Sequence, residues 1–210
     1  MNERVLVCFG DSNTHGSPPS SGVEAVPRYG PDVRWPGVLA TALGSGWRVH
    51  EEGLPGRTTV HPDPIEGAHL SGLAALPMVL GTHSPIDRLV IMLGTNDLKA
   101  RFSVGAADIA ASVEVLVRTA HAFCAGSGRP VPEMLVVSPA PITEVGGPAF
   151  DRGVEKSRAL GPLLRDVAAR LGTSFLDAGE HVRVSAVDGV HLDPAAHRAL
   201  AAAIGAALAG

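Results

Sequence analysis

Five short apolar runs alternate with stretches of helical periodicity along this chain of 210 residues, and that alternation leaves few folds open. The runs are Val5 to Phe9, Trp47 to Val49, Leu89 to Leu93, Met134 to Val137 and Ser174 to Leu176, each bounded by Gly, Pro, Asp or Ser. Short apolar runs between turn formers read as buried strands. Trp35, Val38, Leu39, Ala42 and Leu43 recur at intervals of three and four, as do Ile109, Val113, Leu116, Val117, Ala120 and Phe123. The spacing returns in Leu160, Leu163, Leu164, Val167 and Leu171, and again in Ala196, Leu200, Ile204 and Leu208, so each stretch presents one apolar stripe to a sheet. Asp193-Pro194 starts the last helix, because aspartate accepts from exposed amides and proline suits the first helical position. Gly161-Pro162 interrupts the stripe from Leu160, so that helix is expected to kink or begin there. Strands alternating with helices pair in parallel and are covered on both faces. The expected fold class is therefore α/β, a three-layer α/β/α sandwich around a five-stranded parallel sheet.

A chain of this length is most simply one domain, residues 1–210, burying roughly 70% of its unfolded surface without disulfides or metals. The net charge is −4, and no run of Lys and Arg exceeds a pair, so nucleic acid is not an expected partner. Cys8 and Cys124 lack CxxC spacing and read as buried, inert thiols. The N-terminus carries too short an apolar run for a signal peptide or a membrane span. These features set the expectation of a reduced, cytoplasmic protein without a membrane partner.

Ligands of open parallel sheets bind beyond the carboxyl ends of the strands. Ser12, Gly53 and Asn96 follow the first three strands, and Asp188 and His191 follow the last, so four stretches converge on one sheet edge. The Pro/Gly-rich segments at 16–31, 53–67, 125–132 and 139–148 are loops able to shape a pocket there.

Val5-Leu-Val-Cys-Phe9 breaks into Gly10-Asp-Ser-Asn-Thr-His-Gly16, a strand delivering a serine into a tight turn. Asp188 stands three positions before His191 in the loop ahead of the last helix, where it can reach one ring nitrogen and leave the other for Ser12. A nucleophile, a base and an orienting acid in the order Ser, Asp, His suit attack of a hydroxyl on an acyl carbon. Asn96 donates from a neutral amide, as a developing oxyanion requires, and Asp97 is assigned to holding its loop. The Ser12 and Gly53 amides are the expected companion donors. His61, Asp63, Glu66 and His69 lie in an extended, proline-broken stretch without metal-ligand spacing, so no metal is expected. Lys99 and Arg101 could meet an anionic substrate group, with solvated charges the preferred reading.

Gly10-Asp-Ser12, Gly53, Gly94-Thr-Asn96-Asp97, and Asp188 with His191, in that order, resemble the four blocks of the SGNH hydrolases, also called the GDSL esterase/lipase family. Glu51-Glu-Gly-Leu54, Met92-Leu-Gly-Thr-Asn-Asp97 and Asp188-Gly-Val-His191 resemble its bacterial aryl esterase and acyltransferase branch. The resemblance implies a flavodoxin-like SGNH fold and no cofactor. It implies Ser12 as nucleophile, His191 as general base and acid, Asp188 as orienter, and Ser12, Gly53 and Asn96 as the oxyanion hole. Two departures bear on substrate. Asn13 and His15 stand where that branch commonly has Leu and Trp, which would exchange an apolar pocket wall for a polar one, and Pro55 replaces the usual serine. Asp11, His15, Pro55 and Val190 are the positions expected against the substrate. Aromatic residues make up 4% of the chain, which disfavours a long-chain lipase. The expected substrate is a short-chain, acetyl-type ester, cleaved through an acyl-serine that water or an alcohol then releases. A carbohydrate O-deacetylase of the same family is the alternative. A flavodoxin-like phosphate-binding protein is the rival from another class, with Asp11 set against an anion. Homo-oligomerisation is left open.

Overall fold

The computed structural model describes residues 3–20 and 27–209. Met1, Asn2 and the 21–26 part of the expected 16–31 loop lie outside the described residues. The strands are β1 (Arg4–Gly10), β2 (Trp47–Gly53), β3 (Arg88–Met92), β4 (Glu133–Ser138) and β5 (Ser174–Asp177). They form one fully parallel sheet in the order β2-β1-β3-β4-β5. All five expected strands are present. β2 runs four residues beyond the expected Val49, through His50, Glu51, Glu52 and Gly53, because an edge strand keeps polar residues half-buried and so lacks an apolar run.

Alternation of side chains across the sheet builds two cores. Val7, Phe9, Leu89, Ile91, Met134 and Val136 face one way and pack with α3 (Gly72–His83), α4 (Ala106–Gly126) and α5 (Gly153–Leu171). Leu6, Cys8, Val90, Met92, Leu135 and Val137 face the other and pack with α2 (Trp35–Leu43) and α6 (Pro194–Ala209). The result is the expected three-layer sandwich. α4 is long and apolar enough to cross a membrane by length and composition, yet it buries Ile109, Val113, Leu116, Val117 and Ala120 in the core.

Two helical features depart from the periodicity. α3 escaped the stripe pattern because Leu73, Ala74, Ala75, Leu76, Met78, Val79 and Leu80 are apolar all round and Pro77 interrupts them. α5 does not begin at Gly161-Pro162 but starts at Gly153 and runs through Pro162. α6 starts as expected, with Asp193 Oδ1 accepting the Ala196 amide at 2.8 Å. The register pairs Gly10 with Gly53 and with Met92, bringing the carboxyl ends of β1, β2 and β3 level. The strand order reverses beside β1, the place where such sheets open a ligand crevice.

Candidate active site

β1 ends at Gly10 and the chain enters α1 (Ser12–His15), one helical turn. Asp11 caps that turn, its Oδ1 accepting the Asn13 amide at 3.0 Å. Burial pushes the Asp11 carboxyl up to about 6, against the opposing pull of the Asn13 amide, the His191 charge and Thr95. The turn sets Ser12 at the floor of a cleft of about 440 Å³.

The facing wall is the loop before α6. Asp188 Oδ1 accepts the Val190 amide at 3.0 Å and the His191 amide at 2.9 Å. Its Oδ2 lies 2.7 Å from His191 Nδ1 and accepts the Ser20 amide at 3.1 Å. Burial alone would raise this carboxyl, but the bonds from the His191 ring and from the His191 and Val190 amides outweigh it and hold it well below the usual carboxylate range. A carboxylate at Nδ1 places the ring proton there and leaves Nε2 as an acceptor. His191 Nε2 lies 3.0 Å from Ser12 Oγ, closing a Ser12–His191–Asp188 relay.

Two further donors reach the same cleft. Asn96, delivered after β3, gives one amide hydrogen to the Arg57 carbonyl at 3.1 Å, which fixes its Nδ2 and leaves the second hydrogen uncommitted. Leu54-Pro55-Gly56-Arg57 closes as a turn through Arg57 N to Leu54 O at 3.0 Å, with Gly56 at φ +82°, the Pro-Gly arrangement of a type II turn. Such a turn leaves the glycine amide outside its own hydrogen bond. Among the described residues neither Gly56 N–H nor Ser12 N–H has a protein acceptor.

A GDSL-like lipase/acylhydrolase family model matches residues 8–199. The chain belongs to that family. A carbohydrate acetylesterase from Sinorhizobium meliloti superposes at TM-score 0.93 with 37% identity, covering 99% of each chain. The aryl esterase of M. smegmatis superposes at 0.93 with 39% identity, covering 98% of each. A lipase/acylhydrolase from Enterococcus faecalis, at 21% identity and TM-score 0.65 over 97% of this chain and 94% of that one, shares the fold. No curated protein matches in sequence. The chemistry of this GDSL-family protein is carboxylic ester hydrolysis.

Four of the expected site positions fall elsewhere in the GDSL-family structure. Gly53 does not reach the cleft: it is the last residue of β2, and a Cβ there would strike the Thr14–His15 backbone. Gly56, three residues on, lines the cleft instead. The Pro-Gly pair at 55–56 is the sequence signal that could have found it. Asp11 is buried beneath α1 and His15 is directed to the Gly53 backbone, so neither lines the cleft, whereas Pro55 and Val190 do. Asn13 is no pocket wall. It is buried, its Nδ2 donating to Val190 O at 3.1 Å and its Oδ1 accepting the Leu192 amide at 3.0 Å.

The supporting turns of this acylhydrolase are ionic. Asp97 is fully buried and accepts from the Thr59 amide at 2.9 Å and the Thr59 hydroxyl at 2.6 Å, with His61 Nδ1 at 2.8 Å, so it holds the 57–61 turn. The hydrogen bond to Asp97 raises His61 above its ordinary value. Lys99 and Arg101 are not solvated. Lys99 Nζ lies 3.0 Å from Glu66 Oε1, and Arg101 pairs with Asp63 at 2.6 Å and with Glu66. Arg57 had no signal in the sequence, yet its buried guanidinium donates to the carbonyls of Gly10, at 2.9 Å, and of Glu52, clamping the ends of β1 and β2. Among the described residues no group of three or more His, Cys, Asp or Glu side chains is disposed to hold a metal.

Proposed function

We propose that this chain cleaves short-chain, acetyl-type esters through an acyl-serine. Ser12 Oγ attacks the acyl carbon as His191 Nε2 takes its proton, and Asp188 stabilises the imidazolium. The tetrahedral oxyanion forms against the Ser12 and Gly56 amides and the Asn96 side chain. Collapse expels the alcohol, which receives the proton from His191. Water then attacks the acyl-serine with His191 again as base, and the second tetrahedral intermediate collapses with cleavage of the acyl carbon–Oγ bond, releasing the carboxylic acid as His191 returns the proton to Ser12 Oγ.

The observation that carries this reading is the relay, 3.0 Å from Ser12 to His191 and 2.7 Å from His191 to Asp188, beside convergent N–H donors. Support for a small acyl group comes from one of the similar proteins, the carbohydrate acetylesterase. Free, buried Cys8 and Cys124 support a reducing compartment.

The test is hydrolysis of p-nitrophenyl esters from acetate to octanoate, wild type beside Ser12→Ala, in EDTA. Turnover is expected to fall with chain length and to disappear in Ser12→Ala at unchanged melting temperature. Undiminished turnover in Ser12→Ala would sink the acyl-serine.

A further inference from the structure

We propose that Glu66, Lys99 and Ser17 form a subsite for hydroxyl groups on the alcohol half of the ester, making acetylated polyols, sugars foremost, the preferred substrates. The proposal rests on the short-acyl reading above, since an acetyl group fills little of a cleft of about 440 Å³ and most of the wall then meets the alcohol.

Glu66 stands beside the oxyanion donors. A Cβ built on Gly56 would lie 3.1 Å from Glu66 Oε2. Its Oε1 receives Lys99 Nζ, at 3.0 Å, and Arg101, whereas Oε2 has no protein hydrogen-bond partner among the described residues. The Lys99 side chain is 10% exposed and lines the cleft, an expensive position for an ammonium unless it is paired, and its three donors exceed the one Glu66 contact. The Ser17 amide donates to Ser12 O at 2.9 Å, which fixes Ser17 at the same rim, and its hydroxyl has no protein partner among the described residues.

Phe150 and Val190 also line this cleft and give it apolar surface. A carboxylate acceptor, an ammonium donor and a hydroxyl together with an aromatic ring suit a pyranose, whose hydroxyls lie at its edge and whose C–H bonds cover its faces. A bare aryl group over Glu66 Oε2 would cover that oxygen without giving it a donor, which is unfavourable. Anchoring the 57–71 wall does not require Glu66, because Asp63 already holds Arg101 at 2.6 Å. Glu66 and Asp63 balance Lys99 and Arg101 in charge, so the oxyanion beside them meets no net negative group.

The test compares kcat/KM for a mono-O-acetylated pyranoside and for phenyl acetate in wild type, Glu66→Gln and Lys99→Met, with thermal melts of each. The sugar-to-phenyl ratio is expected to fall about tenfold or more in either variant, as loss of one charge-assisted hydrogen bond implies, and to do so through KM. An unchanged ratio, whether both rates fall together or neither does, overturns the subsite. A calorimetric titration of Ser12→Ala protein with the acetylated pyranoside, with and without Glu66→Gln, reads binding without turnover. Binding weakened by Glu66→Gln upholds the subsite even where wild type hydrolyses neither ester and the esterase reading fails, and binding that is absent or unaffected counts against it.

Discussion

Asn13 has both ends of its carboxamide committed to the backbone on either side of His191, at Val190 O and Leu192 N. That side chain ties the turn carrying the nucleophile to the loop carrying the base, across 177 and 179 positions of sequence. Asn13→Leu removes both bonds and leaves two backbone groups facing an apolar side chain, so His191 loses its fixed distance from Ser12. We expect kcat to fall roughly tenfold to a hundredfold with KM little changed, since each unmade buried bond costs about 1–3 kcal/mol. Steady-state kinetics on a p-nitrophenyl ester checks this, and equal losses in kcat and stability would reduce Asn13 to a packing residue. Asn96 is argued on the same scale. Asn96→Ala withdraws one proposed oxyanion donor and is expected to lower kcat by about 10²- to 10³-fold, while stability falls only by the one buried bond lost to Arg57 O, about 1–3 kcal/mol.

α6 is joined to α2 by His197, a fully buried histidine whose Nδ1 accepts the Trp35 amide at 3.3 Å. Burial lowers its pKa to about 4 from 6.5, against the pull of Asp193 and with some help from His191. The native state therefore binds fewer protons than the unfolded chain between these values, and stability falls as pH drops from 6.5 to 4. The full loss is about 3 kcal/mol. Asp11 acts in the opposite sense. Its carboxyl is raised from 3.8 to about 6, so the native state binds the extra proton there and gains stability as pH falls through that window. Wild-type urea midpoints should thus change little between pH 6.5 and 4 from this pair, whereas His197→Gln should become relatively more stable toward acid. Equal pH slopes for the two proteins would remove His197 from the account.

Across the whole molecule, the site is assembled from the carboxyl ends of β1, β2 and β3 and the loop before α6, and each contribution is bonded to another. Arg57 joins β1 to β2, Asp97 joins the turn after β3 to the one after β2, and Asn13 joins α1 to the His191 loop. Drawing β1 from β2, the turn after β3 from the one after β2, or α1 from the His191 loop breaks a buried bond in each case. Loss of esterase activity and loss of helical circular dichroism in urea are expected to share one midpoint, and an activity midpoint well below the structural one would show that the site melts before the sheet.

The sequence alone determined the layers of this protein and singled out the groups of the proposed relay. Strand and helix spacing dictate which faces must be buried, and Ser12, Asp188, His191 and Asn96 are distinguished by side-chain chemistry that few alternatives supply. Only the tertiary structure decided that Gly56 and not Gly53 lines the cleft, that Asn13 turns inward, and that Lys99 and Arg101 are paired. An amide's direction depends on the turn containing it, and the surroundings of a polar side chain depend on segments brought up from far along the chain. Neither is written in local spacing. The end of β2 and all of α3 were obscured for a related reason. A half-buried edge strand need not be apolar, and a helix apolar on every side shows no stripe until its neighbours select the face it buries.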